Sequence, residues 1–348
     1  MQSIEHFQER VRAASADKTP LRIRGGGSKD WYGQRLEGEI LDTRGHAGIV
    51  DYEPTELVIT ARCGTPLAEI EAALAERNQM LAFEPPHFGA GATLGGVVAA
   101  GLAGPRRASS GGVRDFVLGA RLLDGKGDVL AFGGQVMKNV AGYDVSRMLA
   151  GSLGTLGLLL EASVKVLPRP FAETTLRLEM TENEAIRKLN EWGGQPLPVS
   201  GSCWHNGLLC LRLSGAQAAV DAARRLIGGE VVPGCERFWA GIREQTHPFF
   251  GGEGALWRLS LPSTTEALAL GGTQLVEWGG AQRWLRTDLD AAGIRRTVAA
   301  LGGHATLFRG GDKSVGVFQP LAPALARIHE RLKASFDPAN VFNPGRMY

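Results

Sequence analysis

Residues 21–24 (LRIR) read as a short strand that runs directly into Gly25-Gly26-Gly27, followed by Ser28 and Lys29. Three glycines after a strand let successive backbone N–H groups point into one concavity. Such nests hold anions, and a dinucleotide pyrophosphate is the natural guest. Arg24 and Lys29 add positive charge beside it. About 65 residues further on comes a second small-residue run, Gly89-Ala90-Gly91-Ala92-Thr93-Leu94-Gly95-Gly96. Its G-x-G-x-x-x-G spacing is one residue too long for the dinucleotide fingerprint of a Rossmann fold, and the repeating βαβ context is missing. The phosphate-loop pattern G-x-x-x-x-G-K-[ST] is absent as well: Gly125-Lys126 is followed by Gly127, and Ala120 stands where the first glycine belongs. Four cysteines, Cys63, Cys203, Cys210 and Cys235, include no C-x-x-C pair, so zinc or iron–sulfur ligation by this chain alone is not expected. They read as buried free thiols.

Glycine is the compositional anomaly. There are 48 in 348 residues, about twice the usual share, and they cluster rather than repeat with a collagen-like period. Clustered glycine means backbone that turns sharply or lies close against something else. With 38 basic and 36 acidic residues and no basic run, the electrostatic footprint of a nucleic-acid binder is missing. The first residues, MQSIEHFQERVRAA, are polar and helix-like, without the apolar core of a signal peptide. No segment offers 18 consecutive apolar residues, so a soluble, cytoplasmic protein is expected, with at most peripheral membrane contact.

The elements that must position these loops follow from periodicity and turn chemistry. Residues 57–62 read as a strand, and Thr65-Pro66 opens a helix whose apolar stripe is Leu67, Ile70 and Leu74. Residues 116–123 and 128–132 flank the turn-rich Asp124-Gly125-Lys126-Gly127, which predicts a hairpin. Residues 156–167 form another strand region, ended by Pro168 and Pro170. After Pro170 the pattern becomes β-α-β-β-α-β: strand 174–180, helix 182–192, strands 197–204 and 207–213, helix 216–227 and strand 229–232. A helix near 235–246, strand 255–261, paired strands near 274–287, helix 289–301 and strand 304–309 follow. Together these predict one antiparallel sheet covered by helices, with a last helix at 321–335.

The glycine loops, taken with SSGGVRDFVLGARLLDGKGDVL, KNVAGYDVSRMLAGSLGTLGLLLEASVKVLP and the tail DPANVFNPGRM, in that order, resemble the FAD-binding domain of the vanillyl-alcohol-oxidase, or PCMH-type, family. Within it, KNVAGYDVSRMLAGSLGTLG and the segments WRLSLP, RWLR and GGHATLFRGG resemble the E subunits of glycolate oxidases. The resemblance implies an α+β fold: a two-part FAD-binding domain with a ferredoxin-like antiparallel cap. The boundaries implied are 1–170 for the FAD-binding domain, 171–320 for the cap and 321–348 for a C-terminal return.

It also implies site residues. Arg24, Gly25, Gly26, Gly27, Ser28 and Lys29 match the loop around the FAD pyrophosphate. Thr93, Leu94, Gly95 and Gly96 match the second loop, with Ala99, Gly101 and Gly104 continuing the close approach. Ser109, Gly112, Gly142, Tyr143 and Asp144 match stretches near the flavin ring. Gly151, Gly154, Thr155 and Gly157 match the G-S-x-G-T-x-G turn, and Asn343 and Arg346 the terminal motif at the flavin's pyrimidine edge. Valine at Gly26 or Gly95 is expected to cost flavin binding more than stability. Covalent members carry a histidine in the first loop where this chain has Gly27-Ser28-Lys29, so non-covalent FAD is expected; His87, in Pro85-Pro86-His87, is an outside candidate for linkage, with a structural role the preferred reading.

Oxidising a 2-hydroxy acid with hydride transfer to flavin requires a base for the hydroxyl proton and a cation for the carboxylate. His304, Arg309 and Arg283 are the candidates, with Arg286 nearby. In a regular strand His304 and Arg309 have opposite parity. No H-x-H and no second histidine lie near His304, so the metal cluster of the family's catalytic subunit is not expected. The resemblance therefore implies an FAD subunit working with a catalytic FAD-binding partner and an iron–sulfur subunit in converting glycolate to glyoxylate. Alternatives left open are a free-standing 2-hydroxy-acid dehydrogenase and a non-catalytic assembly subunit.

Overall fold

The computed structural model describes residues 3–134 and 144–347. Two compact units emerge. The first comprises Met1–Leu102, Gly112–Pro168 and Pro320–Tyr348; the second comprises Ala103–Gly111 and Arg169–Gln319. Segment 103–111 thus belongs with the second unit, although it lies inside the 1–170 range expected for the first.

The first unit is built on a five-stranded antiparallel sheet in the order Ile49–Glu53, Val58–Arg62, Leu158–Lys165, Val117–Leu123 and Val129–Gly133. The predicted hairpin is present, and its turn is closed by Asp124, whose Oδ1 accepts the Lys126 and Asp128 N–H groups, each at 2.9 Å. Leu67, Ile70 and Leu74 are the buried stripe of helix Leu67–Glu76, as their spacing predicts. A separate parallel pair joins Leu21–Arg24 to Glu39–Asp42. This pair packs with the N-terminal helix Ile4–Asp17 through Phe7, Val11, Leu21 and Leu41, and the core takes in Val341 and Phe342 from the chain's far end. Apolar burial of this kind is the main source of cohesion. The second glycine run is not a simple loop: Leu94–Ala100 is a short helix capped by Thr93, whose Oγ1 accepts Gly96 N–H at 3.3 Å.

The second unit carries an eight-stranded sheet whose neighbours pair antiparallel throughout. Its first half, Glu230–Val232, Ala172–Glu179, Leu208–Gly215 and Val199–His205, places the four sequential strands in the spatial order 4-1-3-2 with helices Glu182–Gly193 and Gln217–Ile227 between them. That is the ferredoxin-like arrangement expected from the element order. The sheet continues through Thr273–Glu277, Gln282–Thr287, Ala255–Ser260 and His304–Arg309. One face meets helices: Trp257, Leu259, Leu285, Ala305 and Leu307 pack with Ile294 and Val298 of helix Ala291–Ala300. The α+β class is as expected. Cys63 and Cys203 are buried free thiols, whereas Cys210 and Cys235 are only partly buried.

Candidate functional site

A groove in the first unit is lined by Arg24–Asp30, Thr93, Gly95, Gly96, Ala99, Gly154, Gly157, Asn343 and Arg346, with Ile23, Tyr32, Thr43, Cys63 and Leu153 among others. Both glycine runs, the G-S-x-G-T-x-G turn and the C-terminal motif therefore meet in one place. Two devices bring the chain's end there. Asn343 accepts the Ile23 N–H at 2.8 Å on its Oδ1 and donates from Nδ2 to the Leu153 carbonyl at 2.7 Å, joining three segments with one side chain. Lys333, buried in helix Pro323–Phe336, donates to the carbonyls of Thr155 (2.7 Å) and Phe342 (2.9 Å) and to Asp337 Oδ2 (2.5 Å).

The groove's chemistry suits a phosphorylated, planar cofactor. Among the described residues the N–H groups of Gly26, Gly27 and Ser28 meet no acceptor, and Gly27 sits at φ +74, which makes the loop a nest. The guanidinium of Arg346 is buried. Its NH2 donates to the Lys29 carbonyl at 3.0 Å, but its Nε has no hydrogen-bond partner among the described residues. Burial pushes this arginine down to about 10, while Asp30 pulls upward and Arg22 downward. A buried charged donor without an acceptor costs free energy unless a ligand acceptor meets it. Donor set and cradle thus fit an anionic cofactor.

Several expectations need correction. Arg24 is paired with Asp30 (2.9 Å), and Lys29 Nζ donates to the His87 carbonyl (3.1 Å), so neither is a bare cation over the loop. Gly26 and Gly95 are required by the protein itself. A Cβ on Gly26 would lie 1.4 Å from the Gly91 carbonyl oxygen, and one on Gly95 would lie 2.8 Å from Cys63 Cβ. Valine at either position therefore breaks the fold before it blocks a ligand. Gly96 differs: its Cβ would meet only Thr93 Oγ1, at 3.3 Å, while the residue faces the groove.

Other expected residues fall outside the groove lining. Leu94 is buried, and Thr155 Oγ1 donates to Ser152. Gly101 caps the helix at φ +63 against Gly151. Gly112 N–H is taken by Asp115, and Asp144 pairs with Arg147 at 3.0 Å. Gly104 and Ser109 belong to the second unit. Gly142 and Tyr143 lie outside the described residues. His87 is held by Glu71 at 2.9 Å. Leu153, Tyr32 and Thr43 line the groove but were missed; nothing in their types separates them from ordinary turn and core residues.

In the second unit the expected catalytic trio comes apart. Arg283 is fully buried on the helix-covered face; it donates to the carbonyls of Gly280 (3.3 Å), Glu266 (2.7 Å) and Thr265, with Glu182 3.6 Å away. Its task is to hold the 262–268 connection, and it is not a substrate cation. Arg286 is likewise engaged, by the carbonyls of Phe249, Gly254 and Phe250. His304 and Arg309 stand at opposite ends of strand His304–Arg309. The parity expected of a regular strand is undone by a register shift, because Leu307 faces Trp257 and Arg309 faces Leu256. The bulge returns Arg309 to the face of His304, yet at ~3.3 Å per residue the two remain roughly 15 Å apart. They cannot grip one small acid.

His304 pairs with Ser260, whose other neighbour is Gln282; the next row is Thr306, Arg258 and Trp284. Facing residues share a side, so Arg258, Gln282 and His304 project from one face. His304 is exposed at the start of its strand; partial desolvation there, then the Arg258 charge, hold its imidazole below its ordinary value.

Comparison with known proteins puts these features in context. The FAD binding domain family matches residues 1–133. Over 340 residues, 98% of this chain and 96% of its counterpart, the sequence is 55% identical to glycolate oxidase subunit GlcE of Escherichia coli strain K12. Glycolate oxidase subunit GlcD of Bacillus subtilis strain 168 is 31% identical over 171 residues, 49% of this chain and 36% of that protein. Among solved structures, alkyldihydroxyacetonephosphate synthase matches with a TM-score of 0.67 over 99% of this chain and 76% of that one, at 14% identity, a likeness of fold.

Proposed function

The chain belongs to the family of glycolate oxidase GlcE subunits, and from that premise we propose that it is an FAD-binding subunit of a complex oxidising glycolate to glyoxylate. The observation that carries the cofactor part is the groove: an N–H nest, small residues and the buried Arg346 Nε converge on one space. When bound, FAD supplies a two-electron acceptor for a carbon bearing a hydroxyl. Gly26, Gly27 and Ser28 would offer N–H groups to the pyrophosphate, Gly95 and Gly96 would allow close approach, and Asn343 and Arg346, bound to Ile23 and Lys29 on either side of the first loop, would complete the groove wall. FAD is held without a covalent bond in this reading, since the first loop offers Gly27, Ser28 and Lys29 and His87 is tied to Glu71.

In the second unit His304 is the proposed proton acceptor, its charged form disfavoured by partial desolvation and by Arg258. Arg309 and Arg283 drop out of that role for the geometric reasons above. The proposed partners are a catalytic FAD-binding subunit and an iron–sulfur subunit, with the assembly cytoplasmic and in contact with the membrane only through the complex. No helix among the described residues is long and apolar enough to cross a membrane.

The test is reconstitution. The FAD-loaded chain is mixed anaerobically with glycolate, alone and with its partner subunits, while flavin absorbance is followed. Rapid bleaching that requires the partners supports the subunit reading. Rapid bleaching of the chain alone, abolished in His304→Ala, replaces it with a free-standing dehydrogenase. Absence of bleaching in the full complex leaves the chain an assembly subunit.

A further inference from the structure

The sheet face bearing His304 contains a cation better placed than any of the arginines singled out by sequence. In strand Ala255–Ser260, Arg258 lies one step along the strand's face from Ser260, the residue opposite His304, so Arg258 and His304 are diagonal neighbours on adjacent strands. Diagonal neighbours lie about 7–8 Å apart at the backbone, within reach of long side chains. The hydrogen bond of Arg258 goes to a neutral group, from Nε to Gln282 Oε1 at 2.7 Å, and its guanidinium lies over the Trp278 ring at 5.2 Å. Among the described residues its two terminal nitrogens make no hydrogen bond, so the fork that binds carboxylates in bidentate fashion is not engaged by protein.

Trp278 is a buried aromatic held in an uncommon backbone conformation. It sits at φ +52, a conformation bulky residues rarely adopt, at the head of a left-handed run with Gly279 at φ +65 and Gly280 at φ +104. Surrounding bonds hold it there. Trp278 Nε1 donates to the Gly104 carbonyl at 3.1 Å, Gly279 N–H to Ser202 Oγ at 3.0 Å, and Asn190 Nδ2 to the Gly279 carbonyl at 3.2 Å. These bonds fix the indole plane against which Arg258 lies. A second guanidinium, that of Arg107 in segment 103–111, lies over the same ring at 4.5 Å. One indole thus carries two cations, with an imidazole beside one of them.

We propose that Arg258, backed by Gln282 and Trp278 and flanked by His304, is the carboxylate-binding residue of a site for small 2-hydroxy or 2-oxo acids on this sheet face. The proposal rests on the reading of the chain as part of a 2-hydroxy-acid oxidase, and it replaces Arg309 and Arg283 with a residue that sequence spacing did not indicate. A carboxylate bridged by the Arg258 fork places the neighbouring hydroxyl on the side of His304, where the neutral imidazole can accept its hydrogen bond. The lowered titration of His304 is consistent with a cation at close range.

Oxalate, which cannot be oxidised by loss of a C–H hydrogen, is the probe. The FAD-loaded chain is titrated with oxalate by calorimetry, as wild type and as Arg258→Met, Arg258→Lys and Arg309→Met. Arg258→Met is expected to weaken binding at least 30-fold, Arg258→Lys by less, and Arg309→Met by under twofold. Unchanged flavin content and circular dichroism establish that the variants are folded, and the lysine variant keeps the test informative if the methionine variant is not. Wild-type chain that does not bind oxalate, or Arg258→Met that binds it as wild type does, overturns the proposal. Turnover of glycolate by the reconstituted complex is measured separately. Arg258-dependent oxalate binding in a complex that does not oxidise glycolate supports the acid site while removing the oxidase reading.

Discussion

Lys333 Nζ lies 2.5 Å from Asp337 Oδ2 inside the first unit, one helical turn away in sequence and fully enclosed on the carboxylate side. The carboxylate also accepts the N–H groups of Val341 and Phe342, at 3.0 and 2.8 Å, and the ammonium also holds the Thr155 and Phe342 carbonyls. Burial alone would lower the lysine; the hydrogen bond and charge of Asp337 oppose that. The pair therefore couples the G-S-x-G-T-x-G turn to the C-terminal motif. Lys333→Met should destabilise the chain by ~3–5 kcal/mol, the cost of leaving a buried charge without its partner. Flavin content should fall with it, because Thr155 and Phe342, the neighbours of groove residues Gly154 and Asn343, lose their common anchor. A denaturant midpoint equal to wild type would show that the pair does not hold these segments.

The two glycine runs should respond differently to a single methyl group. Gly26→Ala forces a Cβ into the Gly91 backbone, and overpacking of this kind costs roughly 1–3 kcal/mol, occasionally more. Gly96→Ala meets only Thr93 Oγ1 at 3.3 Å and removes a glycine from a helix, worth up to ~1 kcal/mol. Thermal melts of flavin-free protein should show Gly26→Ala lowered and Gly96→Ala equal to or above wild type. Flavin titration should show weakened affinity for Gly96→Ala. Equal affinity there would mean that the methyl does not project toward the cofactor.

Arg346→Met separates stability from binding at the groove. Removing a buried guanidinium with an unsatisfied Nε relieves a desolvation cost, so the flavin-free protein should be no less stable than wild type. Flavin affinity should fall by about tenfold or more, the worth of a hydrogen bond to a charged donor, ~1.5–3 kcal/mol. Fluorescence titration with FAD measures it, and undiminished affinity would remove Arg346 from the site.

The pH dependence of glycolate oxidation by the complex reports on His304. A base works in its neutral form, which is populated above its pKa. Partial desolvation and the Arg258 charge lower that pKa, so activity should persist below the pH at which an ordinary histidine protonates and fall only at more acid values. Arg258→Met removes one of the two depressing causes and should move the acid limb of kcat/KM upward. A limb that stays in place in this variant would detach His304 from the profile.

Much of this molecule is written locally. The hairpin around Asp124, the stripe Leu67, Ile70 and Leu74, and the β-α-β-β-α-β order depend on residues a few positions apart, where period and turn chemistry act directly. The glycine clusters likewise declared that backbone passes close to something, and their order pointed to an FAD groove. What they pass close to was decided in three dimensions. Gly26 is glycine because Gly91 occupies its side-chain space, and Gly95 because Cys63 does, contacts between segments more than 30 residues apart. The candidate acid site shows the same limit. His304 and Arg309 are near in sequence but separated by the extension of a strand, while Arg258, 46 residues from His304, becomes its neighbour through antiparallel register. Arg283 carries the same charge as Arg258 and is consumed by loop carbonyls, because register turned it toward the helices. Residue type sets what chemistry is possible; register and burial select which copy of that residue is left to perform it.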